Sequence, residues 1–355
     1  MGRILRTGVK SALARWVIVK RRGHWAAPAP TPQDEATHAW DGQPLFAEDY
    51  TFVGVQAGLG VVMRLEWRPG RESQRVWMVI LRPDGVWAPP GGQRVLRTGS
   101  GDRWSAGGLR LDCQTPLREW TLRFGGPLVA QGHARDAPPL RVVAHDGGAV
   151  RGSVDLTFVT TAAPHVPGID DDPELLARCL GEATWDAQLL RAARKASPRG
   201  YVQPGSLYGT VAVGDVLVPV QAAALRQHHW GPRDFGAYAR AYQCFWASQD
   251  ERRGWLHHTT LPLVALDGGF VEHRGRRAPV RSLSASLETR PQRAPTRVSL
   301  DYGDVDGTRR LHAEVVAELA LPVDGGVVTL GLLQLTGRSP GWGLWAQLRP
   351  QAPSP

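Results

Sequence analysis

One ten-residue run concentrates the side chains of this sequence that could do chemistry, Arg226-Gln227-His228-His229-Trp230-Gly231-Pro232-Arg233-Asp234-Phe235. Its two adjacent histidines can donate or accept a proton near neutral pH. Its two arginines are permanent cations with planar arrays of donors, and its aspartate could orient an imidazole. These residue types together are typical of general acid–base catalysis. We therefore predict five candidate catalytic residues: Arg226, His228, His229, Arg233 and Asp234.

The local geometry of this run leaves two arrangements open. Gly231 and Pro232 predict a turn, on which both histidines could face one cavity. On a strand, neighbouring side chains point to opposite faces, so at most one histidine could enter a given cavity. A structural role also stays open, because a buried pair of Arg233 and Asp234 could lock a domain interface.

The other histidines and the cysteines predict no metal or cofactor site. Four further histidines could complete a metal site but match no zinc-binding spacing: His257, His258, His273 and His312. Three cysteines stand far apart, which indicates neither a zinc knuckle nor a disulfide framework: Cys113, Cys179 and Cys244. A reducing compartment is the simplest inference. No phosphate-loop or dinucleotide-binding motif occurs, and we expect a protein without a metal or another cofactor.

The net charge of the chain is concentrated at its N-terminus. Of the formal +9, seven positive charges fall within the first 22 residues, and no acid precedes Asp34. The remaining chain therefore carries a net charge of about +2, with arginines and acids interleaved. A nucleic-acid binder would show a basic stripe with interleaved aromatic residues in that part, so this class of partner is disfavoured.

Residues 3–22 predict a basic amphipathic helix. Five apolar residues recur on one stripe at helical spacing: Leu5, Val9, Ala12, Leu13 and Trp16. Such a helix could lie on an anionic membrane surface, could be an organellar transit peptide within residues 1–23, or could dock on the body. No run approaches ~18 consecutive apolar residues, so no spanning helix is predicted. We expect a cytoplasmic protein, with attachment to a membrane surface or organellar targeting as alternatives.

The body of the chain predicts an all-β protein. Its 41 Gly and 28 Pro separate short apolar runs, which is the pattern of many strands joined by turns. One helix is predicted from Glu174 to Lys195, with Trp185, Leu189 and Leu190 facing the core. We expect four parts: an amphipathic helix with a proline-rich linker (1–40), a first β-barrel or sandwich (41–168), a linking helix (169–200) and a second β-barrel or sandwich (201–350).

The aromatic residues indicate a pocket for a flat apolar ligand. The chain contains 14 Trp, which could line a cavity or could pack in the core. A hydrophobic small molecule or lipid is the partner that we predict. Six aromatic residues are candidates for binding it: Trp77, Trp120, Trp230, Tyr242, Trp246 and Trp255.

The run from Arg226 to Phe235 resembles the R-D/E-H/R-x-W-G-x-R-D/E-W motif of a lipocalin-like bacterial and animal domain family. That family is related to carotenoid hydratases of the hydroxyneurosporene synthase type and to lipocalin-like pericyclases. Three further segments are similar to family elements: residues 75–85 to an N-terminal hairpin, residues 116–120 to a P-L-x-x-W strand, and residues 341–345 to a terminal G-x-G strand. The last segment lacks the acid of the family pattern, which argues against a catalytic role for the final strand.

This resemblance implies two lipocalin-like β-barrels over about residues 45–350. It also implies a cofactor-independent enzyme that hydrates or cyclises an isoprenoid, polyene or lipid, by holding the substrate folded and dry beside one or two proton donors. His228 or His229 would be the acid or base, Asp234 would orient it, and Arg226 or Arg233 would stabilise charge. A non-catalytic lipid carrier and an interaction protein attached to a membrane through residues 3–22 are the alternatives.

Overall fold

The computed structural model describes residues 2–24, 29–97, 104–136, 148–185, 199–233, 238–261, 263–290 and 293–350. This part of the chain contains two α-helices, α1 (Gly2–His24) and α2 (Pro173–Glu182). It also contains two 3-10 turns, η1 (Pro32–Glu35) and η2 (Pro69–Arg71). Strands make up 64% of the structure, which confirms the all-β expectation.

The described strands range from two residues in β6 and β9 to 17 in β12 and β19. Twelve of those described precede residue 233: β1 (Phe46–Gln56), β2 (Leu59–Arg68), β3 (Ser73–Arg82), β4 (Gly85–Ala88), β5 (Arg94–Arg97), β6 (Ser105–Ala106), β7 (Leu109–Thr115), β8 (Glu119–Ala130), β9 (His133–Ala134), β10 (Ala149–Thr160), β11 (Arg199–Val213) and β12 (Val216–Pro232). Nine more follow it: β13 (Arg240–Ser248), β14 (Arg252–Thr260), β15 (Ala265–His273), β16 (Arg276–Pro279), β17 (Ser282–Leu287), β18 (Arg297–Asp304), β19 (Gly307–Val323), β20 (Gly326–Thr336) and β21 (Gly341–Pro350).

Eight strands close the first sheet into an antiparallel barrel. Their order is β10-β11-β12-β1-β2-β3-β4-β8, and β8 pairs back to β10. Side chains alternate along each strand, so every second residue points into the barrel. The interior is packed with apolar side chains that are almost fully buried, among them Phe52, Met63, Met78, Leu122 and Leu156. The middle of the barrel is therefore a core, and its polar residues gather at one end.

The second sheet stays open and curls into half a barrel. Its order is β16-β15-β14-β13-β21-β20-β19-β18-β17. One face shares a core with the outer wall of the first barrel, in which Val79 and Leu81 cluster with Leu321 and Leu332. The opposite face, together with α2, encloses a separate core around Trp345. The two lipocalin-like halves thus differ, since only the first is closed.

Helix α2 begins where the sequence predicts but ends earlier. The Asp172 carboxylate accepts hydrogen bonds from the N–H groups of Glu174 and Leu175, both at 2.9 Å, which caps the helix. Trp185 was expected to face the core and is instead 40% exposed, because its indole N–H turns back to the Leu180 carbonyl at 2.6 Å. The expected positions of Leu189 and Leu190 lie outside the described residues.

Helix α2 connects β10 to β11, which are neighbours in the same sheet. Strands β11 and β12 therefore belong to the first barrel, although the sequence places residues 201–350 in the second domain. The cause is long-range pairing. Strand β12 lies between β11, its hairpin partner, and β1, which is more than 150 residues away in the chain.

Helix α1 forms where residues 3–22 predict it, and it packs against α2. Within the described residues, neither helix has the length and the apolar character that crossing a bilayer requires.

Candidate functional site

Strand β12 carries most of the chemically active run, and its alternation separates the two histidines. Arg226, His228 and Trp230 face the barrel interior, where they meet side chains of β1 and β11. Gln227 and His229 face the outer side of the barrel wall. Both histidines therefore lie on a strand, and only His228 faces the barrel interior.

The turn predicted at Gly231 and Pro232 is wrong. Both residues still pair with β1, opposite Ala47 and Phe46. Proline is tolerated there because it is the last residue of the strand and lacks only a single hydrogen-bond donor.

A group of polar and aromatic side chains closes one end of the barrel. We call it the mouth cluster, and it consists of Glu35, His38, Glu48, Tyr50, Trp120, Tyr201, Gln203, Arg226, His228 and Trp230. Strand pairing assembles it, since Tyr50 of β1 and Tyr201 of β11 lie opposite His228 on either side. Eight members are buried, whereas His38 and Trp230 are half-buried and form its outer side.

Residues 31–38, which we call the plug, cross this end of the barrel and supply Glu35 and His38. The backbone N–H and the hydroxyl of Thr31 both donate to the Asp34 carboxylate, at 2.7 and 2.8 Å. Pro32 at the first position of η1 suits the start of a helical turn. The turn directs the Glu35 side chain into the barrel, where the residue is only 3% exposed.

Glu35 and Arg226 form the inner half of the mouth cluster. The Glu35 carboxylate accepts hydrogen bonds from Arg226 Nη1 at 2.6 Å, from Trp120 Nε1 at 2.9 Å and from the Tyr201 hydroxyl. Arg226 Nη2 donates to Gln203 Oε1 at 2.7 Å. The guanidinium also lies 5.2 and 5.5 Å from the Tyr201 and Trp120 rings, within cation–π range. The buried ion pair is thus held by hydrogen bonds on both sides.

Glu48 is the centre of the outer half. Its Oε1 lies 3.0 Å from His228 Nε2 and 2.9 Å from His38 Nδ1, and the His38 backbone N–H donates to it at 3.1 Å. Burial alone would raise the pKa of Glu48, but the hydrogen bonds from His228 and His38 bring it below its ordinary value. Burial lowers the pKa of His228, and the nearby Glu48 only partly offsets this. The pair is therefore an ionised carboxylate beside a neutral imidazole.

One ring nitrogen of His228 has no hydrogen-bond partner in the part of the chain that the structure describes. Because Nε2 faces the Glu48 carboxylate, the neutral ring carries its proton on Nε2 and leaves a lone pair on Nδ1. Nδ1 is buried, and no described residue hydrogen-bonds to it. The ring stacks on Tyr50 with centroids 4.0 Å apart and lies 4.9 Å from the Trp230 ring. His228 therefore presents an oriented, unoccupied base among aromatic side chains.

The lowered pKa of His228 predicts how stability changes with pH. The unfolded chain binds a proton near the ordinary pKa of about 6.5, whereas the folded chain binds it only at lower pH, so stability falls as the pH drops below about 6.5. His228→Gln is expected to flatten this part of the profile in urea unfolding between about pH 7.5 and pH 5. His312→Gln is the matched control, because His312 is exposed and its ring nitrogen Nδ1 lies 2.8 Å from the Ser299 hydroxyl, away from the mouth cluster. An unchanged slope in His228→Gln would contradict the assignment.

The outer half of the mouth cluster also offers metal-ligand atoms. His38, Glu48 and His228 each present one, and these atoms lie within 4.8 Å of one another. Two imidazoles and a carboxylate are a set that Zn²⁺ accepts. Both imidazoles hydrogen-bond directly to the carboxylate, through His228 Nε2 at 3.0 Å and His38 Nδ1 at 2.9 Å.

The histidines considered as metal partners in the sequence lie elsewhere. They contact other groups: His257 lies 3.5 Å from Asp171, His258 2.7 Å from Asp267, His273 3.2 Å from Arg252, and His312 2.8 Å from Ser299. None of the four joins the His38, Glu48 and His228 group.

His229 and Arg233 lie on the outer face of the barrel wall, apart from the mouth cluster. Arg233 pairs with Asp49 and, at 3.5 Å, with Glu66, and His229 Nδ1 lies 3.8 Å from Asp49. Burial alone would raise the pKa of Asp49, but Arg233 and Arg64 hold it well below its ordinary value. These contacts favour a structural role for Arg233, with Asp49 as its partner. Asp234, the partner considered from the sequence, lies outside the described residues.

The six aromatic residues expected to bind substrate do not share one pocket. Only Trp120 and Trp230 belong to the mouth cluster. The other four are buried in separate cores: Trp77 and Trp255 between the two sheets, and Tyr242 and Trp246 on the far face of the second sheet.

Sequence reasoning missed six of the ten members of the mouth cluster: Glu35, His38, Glu48, Tyr50, Tyr201 and Gln203. Glu35 and His38 fall in the segment that was interpreted as a linker. One signal was present: Thr31 followed three residues later by Asp34, with Pro32 between them, is a pattern that starts a helical turn. Glu48 and Tyr50 alternate at the start of a strand and carried no comparable signal.

The family of the chain is decided by a match over residues 31–349 to the family model described as Domain of unknown function (DUF7064). The chain belongs to the DUF7064 family. The matched region of this family starts at Thr31, so it includes the plug and both sheets and leaves α1 outside. A sequence search of the curated proteins finds no match.

Solved structures with the same fold are distant in sequence. An AttH-like protein, NE1406, from Nitrosomonas europaea aligns with a TM-score of 0.52 and 12% identity, covering 90% of this chain and 97% of its own. Kievitone hydratase from Nectria haematococca aligns with a TM-score of 0.50 and 10% identity, covering 91% and 94%. CghA, solved with Sch210972, aligns with a TM-score of 0.49 and 12% identity, covering 87% and 89%. At these identities the likeness shows the fold of this DUF7064 protein.

Proposed function

We propose that the protein is an enzyme that transfers protons to and from a hydrophobic substrate at the mouth cluster. The reaction would be a cofactor-independent hydration or cyclisation of an isoprenoid, polyene or lipid. The observation that carries this proposal is His228 Nδ1, a buried base without a hydrogen-bond partner among the described residues, on a ring that Glu48 holds in one tautomer. Groups of this kind, neutral at working pH and fixed in direction, are typical of general acid–base sites.

The cluster contains two proton carriers with separate carboxylates. His228 would take a proton on Nδ1, and the Glu48 carboxylate beside Nε2 would stabilise the resulting imidazolium. The Tyr201 hydroxyl, which donates to Glu35 and lies 3.3 Å from Arg226 Nη2, would supply the other proton. Hydration needs one group that delivers a proton to carbon and another that removes one from water, and the two halves meet that need.

The aromatic members suit an apolar, flat or transiently cationic substrate. Tyr50 and Trp120 have ring centroids 5.6 Å apart, and Trp104 lies 4.4 Å from Tyr50 and 4.8 Å from Trp120. Their faces can stack on a polyene and attract developing positive charge. The half-buried stack of His38 on Trp230, with centroids 3.9 Å apart, is the side from which a substrate would approach. The plug crosses this end of the barrel and its Glu35 is only 3% exposed, so residues of the plug would have to move for a substrate to enter.

A second candidate function, a non-catalytic lipid-binding protein whose mouth cluster only braces the barrel, is favoured by one observation. Arg226 and His228 are fully buried, and apolar side chains fill the described interior of the barrel. In that case His228 would be needed for stability and not for turnover.

The experiment that separates the two functions begins with native mass spectrometry and organic extraction of the purified protein. The extracted ligand is returned to wild-type protein, His228→Gln and the control His312→Gln. If the protein is an enzyme, wild type and the control are expected to convert the ligand and His228→Gln is not. A hydration product would be heavier by one water, and a cyclisation product would have the same mass and a different chromatographic retention time. Recovery of unchanged ligand from all three would overturn the catalytic proposal in favour of the lipid-binding one.

A further inference from the structure

Helix α1 docks on the body through its polar, small-residue face. Ala14 is buried against the body, and a Cβ on Gly181 of α2 would lie 1.9 Å from Ser11 Oγ, so the two helices touch closely. Lys10 Nζ donates to the Ala183 carbonyl at 3.0 Å, and Arg15 pairs with Glu174. These contacts fix which face of α1 points away from the protein.

The described large residues of the apolar stripe that the sequence predicts on α1 remain exposed. Val9 is 69% exposed, Leu13 48% and Trp16 58%, and Val19, which follows them on the next turn, is 53% exposed. Lys20 Nζ lies 4.8 Å from the Trp16 ring, so a cation borders the stripe directly. Single apolar residues scattered on a surface need no explanation. Four on successive turns of one helix form a patch of the kind that marks a binding surface.

The charge around this patch indicates which kind of partner would bind it. The first 22 residues carry seven Lys and Arg, of which Lys10 and Arg15 contact α2 and its C-terminal neighbour Ala183, and the first acid is Asp34. Attraction of about 1 kcal/mol for each cation near an anionic bilayer makes such a segment far better suited to lipid headgroups than to an apolar protein groove. A Trp at the edge of an apolar stripe suits the headgroup boundary.

We propose that α1 is a binding site for anionic membrane surfaces, with Val9, Leu13 and Trp16 inserted among the lipid chains and the helix lying parallel to the bilayer. Contacts with α2 hold α1 in this orientation. This inference stands independently of the proposed catalysis.

The test is co-sedimentation of the full chain with vesicles of phosphatidylcholine alone and with about 30% phosphatidylglycerol. Wild type is expected to bind the anionic vesicles at least about tenfold more strongly and to be released by about 0.5 M NaCl. The double variant Leu13→Glu, Trp16→Glu is expected to lose this binding by about tenfold or more. Its matched control is Leu217→Glu, because Leu217 is 65% exposed on the barrel and far from α1 in the chain. Circular dichroism checks that the variants fold.

Two outcomes would overturn the proposal. One is binding that is equal for both vesicle types or equal for wild type and the Leu13→Glu, Trp16→Glu variant. The other is a wild-type protein that does not bind vesicles but forms a dimer, together with a Leu13→Glu, Trp16→Glu variant that stays monomeric. The exposed stripe would then bind a second copy of the chain.

Discussion

Arg226→Met is expected to destabilise the protein by about 3–5 kcal/mol in urea unfolding at neutral pH. Arg226 is fully buried and is bound to Glu35 and Gln203. Methionine has a similar shape and leaves the Glu35 carboxylate buried without a cation, which costs far more than the loss of a surface ion pair.

Two further variants make this prediction specific. Adding Glu35→Gln to Arg226→Met removes the stranded charge and keeps an acceptor for Trp120 and Tyr201, so the double variant is expected to recover about 1–2 kcal/mol. Arg110→Met is the matched control, since Arg110 forms an exposed pair with Asp112 and its loss should cost less than about 1 kcal/mol. A cost for Arg226→Met as small as that of Arg110→Met would contradict the role of the pair as the inner support of the mouth cluster.

His228→Gln is expected to lower kcat by about 10²–10⁴-fold with little change in KM. The amide preserves the hydrogen bond to Glu48 and removes the basic nitrogen, so binding persists and proton transfer fails. Glu48→Gln is also expected to reduce kcat, because an amide N–H pointing at Nε2 would move the ring proton to Nδ1 and block the base. Activity in wild type should extend below about pH 6.5 before it falls, since burial lowers the pKa of His228.

A purely structural histidine would give a different pattern. In that case His228→Gln would lose stability and turnover together, and the pH dependence of the remaining activity would be unchanged. His312→Gln controls for the loss of an imidazole as such, and it should leave kcat, KM and the pH profile at their wild-type values.

Local pattern was enough to predict the class of fold and to single out the run from Arg226 to Trp230, but not that β12 continues through it to Pro232. Alternating apolar residues indicate strands wherever one face is buried, and Asp172 before Pro173 marks the start of α2. The run from Arg226 to Trp230 could be recognised in the sequence because it places ionisable and aromatic side chains within five residues. The alternation rule also foresaw that a strand would send only one of the two histidines into the barrel.

The partners of that run could not be found by the same means. Glu48 meets His228 because β1 pairs with β12 across more than 150 residues, and Glu35 reaches Arg226 through a turn in a segment rich in proline. Pairing register is set by the whole sheet, so no local window contains it. For the same reason β11 and β12 were assigned to the second domain. Amino-acid composition does not show where aromatic residues lie in the fold. Four of the six candidate aromatic residues are buried in cores away from the mouth cluster.

The central claim is that the mouth cluster moves protons on a bound hydrophobic substrate. Turnover of the extracted ligand in deuterated water tests it most directly, with mass spectrometry locating deuterium on carbon in the product or in recovered ligand. The account predicts carbon-bound deuterium with wild type and with His312→Gln, and its loss by at least about 10²-fold with His228→Gln. Incorporation at the wild-type rate in folded His228→Gln would contradict it.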